Sequence, residues 1–176
     1  LADGPLAGAP AFAVNASADG DPGVEALRQH LQEQALAAPA RDADGLFRLA
    51  VDRVFTLAGR GTMVTGTVFA GRSSAGDEDA RLELAPAGKP VRVRSIHAQN
   101  RPSPEARAGE RCALNLAGTA RNAIGRGDWI ADARAFLPTR NVDVELRLLP
   151  DADAAIGNWA PLHLHLGTAR RLAHAV

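Results

Sequence analysis

Ten residues, 59–68 (GRGTMVTGTV), constrain this chain more than any other stretch. Gly59 and Gly61 flank Arg60 and permit the positive φ angles of a hairpin tip. The β-branched run from Thr62 to Val68 then favours a strand. Gly66 inside that run marks a bulge or a close approach of two backbones. A helix is excluded here, and a hairpin in an all-β unit is expected.

Period-two alternation surrounds this hairpin. Phe47, Leu49 and Val51 fall on one face, with Arg48, Ala50 and Asp52 on the other. Further strands are expected at 62–69, 81–84, 91–97, 111–116 and 129–131. Turn signals at Gly76-Asp77, Ala87-Gly88, 102–104 and 125–127 separate them. Short strands at this density predict a mainly β protein built on a closed antiparallel barrel of the six-stranded type. A second β unit is expected from Asn141, where Val142, Val144, Leu146 and Leu148 alternate and 161–166 follows as another strand. That remainder is too short to close a barrel of its own. The first forty residues read as an α/β remnant. Phe12-Ala13-Val14 is a short strand candidate, Asp21 a helix cap, Pro22 the first-turn residue, and Val24, Leu27 and Leu31 recur at helical spacing. Residues 38–45 form the linker.

Charge narrows the function classes. Basic and acidic side chains number 20 each among 176 residues, so nucleic-acid binding requires a local patch, not a global field. Lys89 is the single lysine, and arginine carries the remaining positive charge. One cysteine, Cys112, excludes an internal disulfide and suits a reducing cytoplasm; its apolar neighbours make it a small buried hydrophobe. No stretch is apolar enough to span a bilayer, and no basic n-region precedes an apolar core near the start. The leading residue is leucine, which leads us to expect a segment of something larger.

Three segments resemble the bacterial selenocysteine-specific elongation factors. They are 47–55 (FRLAVDRVF) running into 59–62, then His97-Ala98-Gln99-Asn100 with 108–118 (AGERCALNLAG), and the closing turn Arg126-Gly127-Asp128-Trp129. The glycine-rich hairpin is common to translation GTPases. The selenocysteine assignment rests on Asp52-Arg53 and Arg111, where general elongation factors carry an acidic pair and an asparagine. The resemblance implies three parts: 1–40 as the end of a GTP-binding domain, 41–136 as the domain 2 barrel, and 137–176 as the start of domain 3.

It also implies a function. Domain 2 would hold the aminoacylated 3′ end of selenocysteinyl-tRNA for GTP-dependent delivery to the ribosome, with Asp52, Arg53 and Arg111 lining the selenocysteinyl pocket. Phe55 would wall the pocket or serve as a core aromatic; His97 would meet the terminal adenosine or simply end a strand facing solvent. Arg60, counted with Phe55 and His97 toward the tRNA 3′ end, and Arg92 or Arg94 are candidates for phosphate contacts, though an exposed arginine equally touches nothing specific. Ser17-Ala18 resembles the last guanine-contacting motif. No GxxxxGK[ST] or Asn-Lys-x-Asp motif occurs, so no catalytic residue is expected in this chain, and GTP and Mg2+ belong to a longer GTPase parent. The reader of the messenger-RNA hairpin would lie in modules outside this chain. His163 and His165 share a strand face, but nothing completes a metal ligand set. The alternative is domain 2 of another translation or ribosome-associated GTPase, acting as an RNA- or protein-binding module. An enzyme built on Cys112 lacks a base in its motif.

Overall fold

The computed structural model describes residues 6–39, 41–135, 137–149, 152 and 155–176, which divide into two compact units. The first takes in the described parts of 1–40 and 143–155. Its one helix, α1 (Pro22–Ala37), begins where the sequence predicts. The Asp21 carboxylate accepts from the Val24 amide at 2.9 Å, and proline occupies the first turn, where its missing N–H leaves nothing unsatisfied. The Phe12 ring lies 5.2 Å from that of His30. Residues Phe12 to Val14, expected as a strand, form no ladder. Nor do Val142, Val144, Leu146 and Leu148, whose side chains are about half exposed. Alternation prepares a strand, but only a partner edge makes one.

The second unit covers 41–142 and 156–176 and carries every strand among the described residues. In chain order these are β1 (Arg48–Leu57), β2 (Gly61–Ala70), β3 (Arg72–Ser74), β4 (Leu82–Ala85), β5 (Lys89–Pro90) and β6 (Arg92–Ala98). Then come β7 (Arg101–Ser103), β8 (Glu105–Arg107), β9 (Arg111–Ala117), β10 (Trp129–Asp132), β11 (Pro161–Leu166) and β12 (Ala169–His174). Eight of them form one antiparallel sheet in the order β5-β4-β10-β1-β2-β9-β6-β7; β3 pairs with β8, and β11 with β12. The expected closed six-stranded barrel is therefore corrected to an open eight-stranded ladder with β5 and β7 at its edges. Residues 102–104, read as a turn, lie partly in β7, since an edge strand tolerates Pro102 without a donor.

The sheet wraps one core. Leu49, Val51, Val64, Val68, Leu114 and Ile130 are wholly buried at its centre. The hairpin joining β1 to β2 turns at Gly59 and Gly61, with φ of +73° and +82°. A β-carbon added at Gly66 would sit 2.2 Å from the Ala50 carbonyl oxygen, so this glycine marks the close approach the sequence implied.

Cys112 is 1% exposed and points into that core. Burial, reinforced by the nearby Glu110 charge and hydrogen bond, pushes its thiol up to about 11. Relative to an ordinary thiol near 9, thiolate at neutral pH falls about a hundredfold. Alkylation of the native protein by iodoacetamide at pH 7.5 is accordingly expected to be at least about a hundredfold slower than in 6 M guanidinium. Equal rates would show that the strand does not shield the sulfur.

Candidate aminoacyl-recognition face

The site is organised by an irregularity in β1. Val51 faces Gly66 and Arg53 faces Thr65, so two steps on β1 match one on β2, and Asp52 is the extra residue of a bulge. Val51 is in the core and Val54 packs against it. Between them the bulge turns both Asp52 and Arg53 away from the core, where strict alternation would have sent one inward. A bulge next to a recognition site re-aims side chains, and this one places a carboxylate and a guanidinium side by side on the outer face.

Arg111 reaches the same place from β9. It opposes Thr67 on β2, two residues from Thr65. Its Nη2 donates to both oxygens of Asp52, at 3.0 and 2.9 Å, and its Nε donates to Oδ2 at 3.2 Å. Thr65 completes the arrangement: its hydroxyl donates to Asp52 Oδ1 at 2.6 Å and accepts from Arg111 Nη2 at 3.2 Å. Three neighbouring strands thus hold one guanidinium in a fixed fork. The Arg111 side chain is 54% exposed and that of Asp52 22%, so the pair contributes only about 0–1 kcal/mol to stability. Its value lies in orientation. Arg53 is exposed and makes no ion pair among the described residues.

Thr65 was not singled out by sequence reasoning. The available signal was its outward parity in β2, opposite Arg53 across one ladder and Ala113 across the other. Thr65→Val preserves shape and removes the hydroxyl. It should cost about 1.5–3 kcal/mol in urea denaturation, the worth of one hydrogen bond to a charged partner; an unchanged midpoint would mean the hydroxyl holds nothing.

The remaining predicted residues divide by position. His97 opposes Ala113, so Arg53, Thr65, Ala113 and His97 form one cross-strand row on the outer face, with alanine leaving a dip in its middle. His97 Nδ1 is buried without a hydrogen-bond partner. Phe55 is 37% exposed and opposes Met63 in the next row, which removes it from the core and leaves its ring beside the site. Arg60 is not brought to this cluster. It occupies the hairpin tip, where its carbonyl accepts from Asn115 Nδ2 at 2.7 Å. Thr62, two residues on, opposes Leu116, near the far end of β9 from Arg111, a separation of about 17 Å along the strand.

Ser17 and Ala18 lie in the first unit. Both amides are engaged within their own turn, Ser17 N–H to Asn15 Oδ1 at 3.2 Å and Ala18 N–H to the Asn15 carbonyl at 3.1 Å. No phosphate-loop motif occurs in the sequence, and both amides donate within their own turn. His163 and His165 share a face of β11, but Arg170 Nη2 lies 3.0 Å from His163 Nε2, a cationic neighbour unsuited to a metal. No cluster of metal-ligating side chains occurs among the described residues, nor does any helix there suit a membrane crossing.

Comparison with known proteins bears on the fold and the family. Residues 61–131 match the family model for elongation factor Tu domain 2. The selenocysteine-specific elongation factor of Escherichia coli K12 is 43% identical over 146 residues, covering 81% of this chain and 22% of that protein. The one from Desulfomicrobium baculatum is 37% identical over 174 residues, covering 98% of this chain and 26% of that protein. The apo structure of translation elongation factor SelB from Methanococcus maripaludis superposes with a TM-score of 0.69 at 25% identity, covering 88% of this chain and 33% of that one. The chain spans about a quarter of the length of the curated relatives it matches. With an elongation factor Tu-type domain 2 at its centre and this likeness over nearly all its length, the chain belongs to the selenocysteine-specific elongation factors.

Proposed function

We propose that the face formed by β1, β2, β9 and β6 holds the aminoacylated 3′ end of selenocysteinyl-tRNA, as domain 2 of a longer protein that delivers it to the ribosome at the expense of GTP. In this reading residues 1–40 end the GTP-binding domain, 41–136 are domain 2, and 137–176 begin domain 3. The observation that carries the reading is the Arg111 fork closed on Asp52, with exposed Arg53 next to it on the same face.

The charge arithmetic fits the ligand. A selenol is far more acidic than an alcohol and is an anion at neutral pH. Arg53 and Arg111 with Asp52 leave one net positive charge, which a single selenolate neutralises. A seryl group brings no charge and leaves that excess unpaired once the site is covered, so rejection contributes alongside attraction. Phe55 forms an apolar wall and His97 meets the terminal nucleoside. GTP and Mg2+ are held by the remainder of the longer protein, as is the messenger-RNA hairpin.

The test uses that longer protein. Arg53→Ala should keep or tighten seryl-tRNA binding, because the excess charge is gone, and weaken selenocysteinyl-tRNA binding about tenfold, the worth of one charge-assisted contact. An unchanged ratio of the two affinities would remove Arg53 from the pocket.

A further inference from the structure

The hairpin of β11 and β12 turns on two residues, Gly167 and Thr168. Gly167 has a φ of +58°, and glycine at the first turn position is what a type II′ hairpin requires. This tip is seated on the outer face of the large sheet. A β-carbon added to Gly167 would lie 2.7 Å from Trp129 Cζ2 and 3.5 Å from the β-carbon of Ala50. One added to Gly127 would lie 3.0 Å from the α-carbon of Ala169. Ala50 stands outside the core cluster and is nevertheless wholly buried, because the tip covers it.

The seat adjoins the aminoacyl face. Trp129, Ala50, Thr67 and Arg111 form one cross-strand row, which puts Arg111 two strands from Ala50, about 10 Å away. The tip also touches the bulged segment of β1. Thr168 is half-buried, and its hydroxyl donates to the Val51 carbonyl at 2.6 Å. The same carbonyl accepts from the Gly127 amide at 3.1 Å, while the Val51 amide donates to the Asp128 carbonyl at 2.9 Å. Both lone pairs of the peptide oxygen leading into Asp52 are therefore engaged, neither of them by β2. A bulge interrupts the ladder and leaves its extra residue unpaired, so the tilt of that peptide depends on contacts from outside the strand pair. Thr168 supplies one of them from 117 residues away in sequence.

We propose, on the aminoacyl reading of this face, that Thr168 is a positioning residue for the selenocysteinyl pocket. By holding the Val51 carbonyl, the hairpin tip fixes the direction in which Asp52 and Arg53 leave β1. Asp52 then meets the Arg111 fork, and Arg53 stands at a set distance from it. Without the hydroxyl the peptide tilts more freely, and the two guanidinium groups no longer converge on one anion. A neutral seryl group gains little from that convergence and loses little with it. Thr168 itself touches no ligand; its effect passes through the backbone of β1.

The test measures selenocysteinyl-tRNA and seryl-tRNA affinities of the longer protein carrying Thr168→Val or Thr168→Ser. Valine preserves the shape of the side chain, and serine preserves the hydroxyl. Thr168→Val should cut the preference for the selenocysteinyl form about three- to fivefold, within what one hydrogen bond supplies, and hold seryl-tRNA affinity within about twofold. Thr168→Ser should bring the preference back to within about twofold of wild type. Loss of folded protein lowers both affinities together, so their ratio separates positioning from stability. Hydrogen exchange without tRNA gives a second measurement. Amides of residues 51–55 should exchange about three- to fivefold faster in Thr168→Val than in Thr168→Ser, with those of 111–117 unchanged. A wild-type ratio in the valine variant would overturn the proposal, as would a serine variant that restores nothing, a parallel fall of both affinities, or wild-type exchange over 51–55. Arg111→Ala is the control for the aminoacyl reading. A preference lost there and kept in Thr168→Val sinks this proposal alone; a preference kept in Arg111→Ala sinks that reading, and this proposal with it.

Discussion

Gly66→Ala is expected to destabilise the β unit by about 3 kcal/mol or more and to lower its melting temperature by on the order of 10 °C. The reason is steric. The added methyl would lie 2.2 Å from the Ala50 carbonyl oxygen, 2.9 Å from its carbonyl carbon and 2.6 Å from Leu49 Cδ2. Two of those atoms are backbone of β1, which pairs with β2 over its whole length, so no rotamer change relieves the contact. The strands would have to separate beside the Asp52 bulge. Gly61→Ala is the control: its φ of +82° is strained for alanine, but nothing lies within 4 Å of the new carbon. It should cost only about 1 kcal/mol. Comparable losses at the two positions, measured by thermal and urea unfolding, would show that β1 and β2 are not packed as closely as described.

Arg111 should give the largest functional effect. Arg111→Ala in the longer protein is expected to reduce the preference for selenocysteinyl-tRNA over seryl-tRNA by about 10- to 100-fold, corresponding to one or two charge-assisted hydrogen bonds. Stability should change by about 1 kcal/mol, since Arg111 is half-exposed in its pair with Asp52 and Thr65 still donates to that carboxylate. Arg111→Lys sharpens the experiment. It keeps the charge, but an ammonium lacks the planar fork that meets both Asp52 oxygens and the Thr65 hydroxyl together. Lysine should therefore recover no more than part of the preference. Full recovery by lysine would make the site a simple point charge, and an unchanged preference in the alanine variant would remove Arg111 from recognition altogether.

Much of this fold was legible because its signals are local. Gly59 and Gly61 specify a turn through φ alone, and the tip stands where they put it. Asp21 and Pro22 likewise specify the start of α1 through groups within one turn. Residues 82–85, 92–98 and 111–117 form strands within a residue or so of the periodic runs that announced them. The strands β3, β5, β7 and β8 were missed because two or three residues show no period, and β12 was missed because ARRLAH carries no apolar alternation. The failures at Phe12–Val14 and Val142–Leu148 have one cause: alternation reports which side would be buried but not whether an edge is available to pair with.

The chemistry of the candidate site divides along the same line. The family resemblance of local words named Asp52, Arg53 and Arg111 as candidates, while the lack of a GxxxxGK[ST] motif is read directly from the sequence. Tertiary structure alone decided that an extra residue in β1 turns Asp52 and Arg53 to the same side, that Thr65 supports the fork, and that Arg60 belongs to a different surface. Register is the physical reason. A strand's faces follow from its own residues, whereas bulges and cross-strand neighbours depend on pairing between distant segments, such as Asp52 and Arg111, 59 residues apart.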